Sequence, residues 1–101
     1  MEIVEKSENR TLALRFTGEL DHHGLRDALR KVELTIDSVL PQTLVFDFSG
    51  VTFMDSSGIA LIMRSQQRMQ LTDGTLLVRN VPPQAKRVLD AAGLSRLVNI
   101  R

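Results

Sequence analysis

The stretch VTFMDSSGIALIMRS, Val51 to Ser65, decides how this chain is read. An apolar run gives way there, at Asp55-Ser56-Ser57-Gly58, to a helical pattern. Upstream, TLVFDF (Thr43 to Phe48) is a dense apolar run consistent with a strand buried on both faces. SGVTF then reads as a loop toward Asp55. From Ser56 onward, Ile59, Ile62, Met63, Gln66 and Met69 fall on one side of a helix, with Arg64, Gln67 and Arg68 on the other. A strand, a loop and a helix in this order make the carboxyl end of the strand a place for functional groups.

Working outward, Leu12, Leu14 and Phe16 alternate with Ala13, Arg15 and Thr17, as in a strand with one buried face. Ile3 and Val4 precede it in a second short run, and SENR between them predicts a hairpin turn. Past GELDHHG the period changes. Leu25, Leu29, Val32, Ile36 and Val39 mark one face of a helix that ends before Pro41. After TDG, TLLVRNV predicts a strand. Pro82 and Pro83 then open a third helix, QAKRVLDAAG, with Val88, Leu89 and Ala92 inward and Gly93 as its C-terminal cap. LVNI predicts a short edge strand. The whole is one α/β domain over residues 1–101, a mixed sheet of about four to five strands with helices mainly on one face.

Composition narrows the function. The 101 residues carry 13 basic and 12 acidic side chains, a formal charge of +1, without the basic stripe and interleaved aromatics of a nucleic-acid binder. All four aromatics are Phe, and Phe46, Phe48 and Phe53 read as core. With no cysteine, disulfides and thiolate metal sites are excluded. The charged, alternating N-terminus is unlike a signal peptide, and no apolar run reaches the roughly 18 residues of a membrane span. A soluble, cytoplasmic monomer is the expectation.

Three readings of DSSG stay open on the residues alone. Asp55 and the serines can simply cap the helix, since their oxygens accept from its free first-turn amides. A serine at the positive end of a helix can also take a phosphate, whose charge of about −1.5 to −2 beside Asp55 would alter the surface without unfolding it. Gly58, costing up to about 1 kcal/mol relative to alanine in a helix, fits that reading if a partner's backbone or a phosphate must come close. Under it, Gly58→Arg should block docking without unfolding. A nucleophile elbow is the third reading, but G-x-S-x-G spacing is absent and His22 or His23 has no evident third partner. The second loop, GELDHHG, places Asp21 as a cap with His22 and His23 exposed. Adjacent histidines should point in different directions and, without an i,i+4 partner, make a poor metal site. Asp21 should also lie near Ser56, because both follow neighbouring strands.

TGELDHH and VTFMDSSGIALI, in this order and separation, resemble the STAS domain of bacterial anti-sigma factor antagonists, and among these the sporulation antagonists of sigma-F. The similarity runs through AKRVLDAAGL and covers nearly the whole chain, although members commonly continue into a further helix past the position of Arg101. The resemblance implies a binder and substrate, not an enzyme, with no cofactor of its own. Its partner would be an anti-sigma factor that is also a serine kinase, using ATP and Mg²⁺ in its own site. A serine phosphatase would reset the phosphorylated form. The acceptor maps onto Ser56, and the partner-binding residues onto Asp21, His22, His23, Asp55, Ser56, Ser57 and Gly58. The alternative is a STAS adaptor docking on a transporter or signalling scaffold.

Overall fold

The computed structural model describes residues 1–101. In chain order it contains β1 (Glu2–Glu8), β2 (Thr11–Leu20), α1 (His22–Val39), β3 (Thr43–Met54), α2 (Ser56–Gln70), β4 (Thr75–Arg79) and α3 (Pro83–Ala91). A 3-10 turn at Leu94–Arg96 and the two-residue β5 (Asn99–Ile100) complete it. The five strands lie side by side in sequence order. β1 runs antiparallel to β2, and every later pair is parallel. Because each parallel strand is added on the same side of the last, right-handed crossovers put the helices on one face. No helix is long and apolar enough to cross a membrane.

Register explains the core. Leu12, Leu44 and Leu76 form one row across β2, β3 and β4, and Leu14, Phe46 and Val78 form the next. All six are buried beneath the helices. Phe16 meets Phe46 and Phe48 edge-on, with ring centroids 5.0 and 5.2 Å apart, the arrangement the ring quadrupoles favour. α1 adds Ala28, Val32 and Ile36 to this layer, α2 adds Leu61, Ile62 and Met69, and α3 adds Ala85 and Leu89. On the opposite face, the rows are Ala13–Val45–Leu77 and Arg15–Asp47–Arg79.

Several sequence expectations are corrected. β3 is not buried on both faces along TLVFDF: only Val45 is buried on the helix-free side, where Asp47 is half-exposed. SGVTF is strand, not loop. β3 continues to Met54 because β2 also lengthens to Leu20, with irregularities between Arg15 and Thr17 and between Gly18 and Glu19 keeping them paired. Gly50 permits this, since a Cβ there would lie 2.6 Å from Thr17 Oγ1 and 2.8 Å from Phe16 O. The hairpin turn is Asn9-Arg10 alone, both at positive φ as a two-residue primed turn requires, while Ser7 and Glu8 are strand.

The helices differ in detail. The inward face of α2 is Ser57, Gly58, Leu61, Ile62, Ser65 and Met69, so Ile59 and Met63 flank the buried stripe and Gln66 lies at its margin. In the third helix Ala92 is exposed and Ala85 takes the inward place, because the helix begins at Pro83 and ends at Ala91. Gly93, with φ of +65°, follows as the left-handed terminating residue. Phe53, expected in the core, is 43% exposed near the carboxyl end of β3.

Candidate functional site around the Asp55 turn

Two strand ends build the site. Leu20 pairs with Met54 at the carboxyl ends of β2 and β3, and the Asp55 amide donates to Leu20 O at 3.3 Å. The chain therefore leaves adjacent strands at Asp21 and at Asp55, and each residue starts a helix. Asp21 is extended, and its Oδ1 accepts from the amides of His23 and Gly24, both at 3.1 Å. Asp55 is extended too and accepts from the Ser57 amide at 2.7 Å. Both are N-caps, the side-chain oxygen satisfying donors that have no intrahelical partner.

This geometry separates the two serines. Ser56 is the first residue of α2 and is exposed, whereas Ser57 is only 6% exposed and turned toward the core. A bulky reactant or a phosphate can reach Ser56 without moving the backbone. Gly58 is buried as well. A Cβ there would overlap Sδ and Cγ of Met54, so the missing side chain lets the first helical turn rest on Met54. The close approach seen at Gly58 is therefore to Met54, within the fold. Of the seven residues singled out from the sequence, Asp21, His22, His23, Asp55 and Ser56 are at least partly exposed at one end of the sheet, while Ser57 and Gly58 face inward.

Electrostatics follow from the caps. Burial alone would raise the pKa of Asp55. The Ser57 amide and hydroxyl, the His22 backbone amide and the His22 imidazole outweigh it and hold the carboxyl below its ordinary value. Asp55 is therefore an anion beside Ser56 across the physiological range. The exposed His22 and His23 rings do not point apart as expected: their centroids lie 4.0 Å apart at 36°. His23 Nδ1 also comes within 4.0 Å of Asp21 Oδ2.

One residue of the site was not legible in the sequence. Gln84, in the first turn of α3, accepts from the Met54 amide through Oε1 and donates from Nε2 to the Met54 carbonyl, both at 2.8 Å. Nothing in the spacing of PPQAK signals a partner 30 residues earlier.

A family model described as STAS domain matches residues 2–101. An anti-sigma F factor antagonist of Paenibacillus polymyxa is 30% identical over 98 residues, spanning 96% of this chain and 84% of that protein. Its counterpart in Lysinibacillus sphaericus is 29% identical over 91 residues, spanning 90% and 78%. Among solved structures, the anti-sigma factor antagonist SpoIIAA in its unphosphorylated form superposes with a TM-score of 0.84 at 26% identity, covering 99% of this chain and 88% of that one. The Bacillus cell fate determinant SpoIIAA in the phosphorylated form gives 0.75 at 26% identity, covering 99% and 91%.

Proposed function

The chain belongs to the STAS domain family, and from that premise we propose that it is an anti-sigma factor antagonist switched by phosphorylation of Ser56. In its unphosphorylated form it binds an anti-sigma factor that is also a serine kinase, and the sigma factor is released. The kinase, with ATP and Mg²⁺ in its own site, transfers a phosphoryl group to the Ser56 hydroxyl. The modified protein dissociates, and a serine phosphatase restores it. In this cycle the chain is a binder and a substrate rather than an enzyme.

The observation that carries the reading is the contrast between an exposed Ser56 and a buried Ser57 at one helix start. Asp55 caps that start with His22 beside it, and Asp21 and His23 lie at the end of the neighbouring strand; in this reading they supply the polar contact surface. A phosphate on Ser56 meets the positive end of α2, which tolerates it, and the carboxylate of Asp55, which repels it. The fold is therefore retained while the docking surface gains nearly two negative charges. A partner seated against that end must then desolvate a phosphate beside an acid, and the loss of about 3 kcal/mol weakens binding more than a hundredfold. Two relatives similar to this chain are named anti-sigma F factor antagonists, and the same fold occurs in a solved pair of unphosphorylated and phosphorylated forms.

The test is to incubate the protein with the serine-kinase anti-sigma factor of the same genome, Mg²⁺ and ATP, and to locate added mass by fragmentation. A single phosphoryl group on Ser56 accompanied by loss of the complex supports the switch. Tight binding without modification would overturn it in favour of an unswitched STAS adaptor, as on a transporter or scaffold.

A further inference from the structure

β4 accompanies β3 only as far as the Asp47–Arg79 pair. From Phe48 to Met54, β3 therefore has β2 on one side and no strand on the other. At the last residue of that unaccompanied segment the Gln84 side chain takes the place of a strand. Its primary amide offers one donor and one acceptor in a plane, which matches the Met54 N–H and C=O, and both bonds form at 2.8 Å. Met54 is thus held from three directions. Gln84 fixes its backbone from the α3 side, the Asp55 amide ties the next residue to Leu20, and the first turn of α2 covers its side chain at Gly58. Gln84 itself is on firm ground. Buried Ala85 follows it, Leu89 anchors the helix, and the Lys86 amide bonds to Pro82 O at 2.8 Å.

We infer that Gln84 is a positioning residue for the Ser56 switch, fixing the direction in which the chain leaves β3 and so the presentation of Ser56 to its kinase. The inference rests on the proposed phospho-switch for its functional consequence. It makes the start of α3 a working part of the site, although α3 contributes no group to the serine. Only glutamine suits the place. Asparagine is a methylene shorter, glutamate at neutral pH has no proton for the Met54 carbonyl, and an aliphatic side chain leaves both backbone groups unpaired. With the clamp gone, Ser56 is correctly presented in only a fraction of molecules, and apparent affinity falls by that fraction. Once docked, the geometry is the same, so turnover is unchanged.

Gln84→Leu and Gln84→Glu would be compared with Leu76→Ala, which lowers stability through the buried row in β4 and leaves α3 and the clamp in place. Amide hydrogen exchange of each protein alone is read first. Gln84→Leu should exchange about tenfold faster at Met54 and Ser57, with Leu14 and Phe46 still protected, and Gln84→Glu, whose carboxylate still accepts from the Met54 amide, should show a smaller increase. In the phosphorylation assay Gln84→Leu should raise KM by about tenfold at constant kcat, whereas Leu76→Ala leaves KM unchanged for the folded fraction. Unchanged exchange at Met54 and Ser57 in Gln84→Leu, or a KM effect no larger than that of Leu76→Ala, would overturn the assignment. The exchange measurement needs no partner, so it decides the clamp even if wild-type protein proves not to be phosphorylated, a result that would count against the switch itself.

Discussion

Gly58 lies directly over Met54, so close that a Cβ at position 58 would overlap the sulfur and Cγ and fall 2.9 Å from Cε. The helix that begins at Ser56 is thereby seated on the last side chain of the strand before it. Gly58→Ala gains up to about 1 kcal/mol of helix propensity but overpacks the site at a cost of about 1–3 kcal/mol. The expected net is a destabilisation of no more than about 2 kcal/mol in urea unfolding. Gly58→Arg should cost more and is not a clean probe of docking. Combining Gly58→Ala with Met54→Ala should recover much of the alanine penalty, because the two changes share one space. Additive losses in that double variant would mean that the glycine is there for another reason.

Asp55 gives the fold an acid-sensitive element. Its carboxyl titrates below the ordinary value of 3.8 in the folded protein. A depressed folded pKa contributes stability that is complete above 3.8 and is lost as pH falls through the lower folded value. Asp47 shifts in the same direction. Burial opposes it, but the Ser49 amide and hydroxyl, Asn80 and the charge of Arg15 prevail. Asp55→Asn keeps a capping oxygen, so its stability at pH 7 should stay within about 1 kcal/mol of wild type. Its unfolding midpoint should fall less steeply than wild type between pH 4 and about pH 2. Parallel pH profiles for the two proteins would sink this assignment.

The sequence carried the order of the elements along the chain and the two caps because both are local signals. Alternation in Leu12–Leu14–Phe16, the three-four spacing of Leu25 through Val39, and acids before helix starts each depend on a few neighbours. It failed where the answer depends on distant residues. SGVTF looks like a loop because glycine, serine and threonine punctuate chains, yet a bulged partner strand keeps it in the sheet. Gly58 looks like an opening for a partner, but the side chain that fills its space belongs to Met54, four residues back and on another element. Gln84 offers no pattern at all, since an isolated glutamine becomes informative only when α3 folds back on β3.

Phe53 and Phe46 share one strand and should behave oppositely. Phe46 is fully buried between Phe16 and Phe48, and Phe46→Ala should cost about 3–5 kcal/mol. Phe53, 43% exposed and two residues before Asp55, has no comparable packing. Phe53→Ala should change stability by less than about 1 kcal/mol. With the proposed docking surface at this end of the sheet, an exposed aromatic there adds apolar contact area, so the same variant should weaken the complex with the anti-sigma factor by tenfold or more. Unfolding curves and titration calorimetry separate the two effects. A large stability loss with unaltered affinity would return Phe53 to the core.

The two serines of the turn allow the sharpest comparison. Ser57→Ala removes a buried hydroxyl that faces Asp55, with its amide still bonded to the cap at 2.7 Å, so the loss should be about 1 kcal/mol in stability with Ser56 still phosphorylated. Ser56→Ala removes an exposed hydroxyl and should leave stability unchanged, bind the partner and resist the switch. Ser56→Asp adds one negative charge where phosphate adds nearly two. The positive end of α2 and the fixed charge of Asp55 act on it with opposite sign, so unfolding free energy should stay within about 1 kcal/mol of wild type. Affinity should nevertheless fall by more than tenfold but less than phosphorylation itself causes, because a partner seated there must bring an unpaired carboxylate up against Asp55. Repeating the titration in high salt locates the effect: an exposed charge pair is screened and the deficit shrinks, whereas a deficit independent of salt points to a buried steric contact at Ser56 instead.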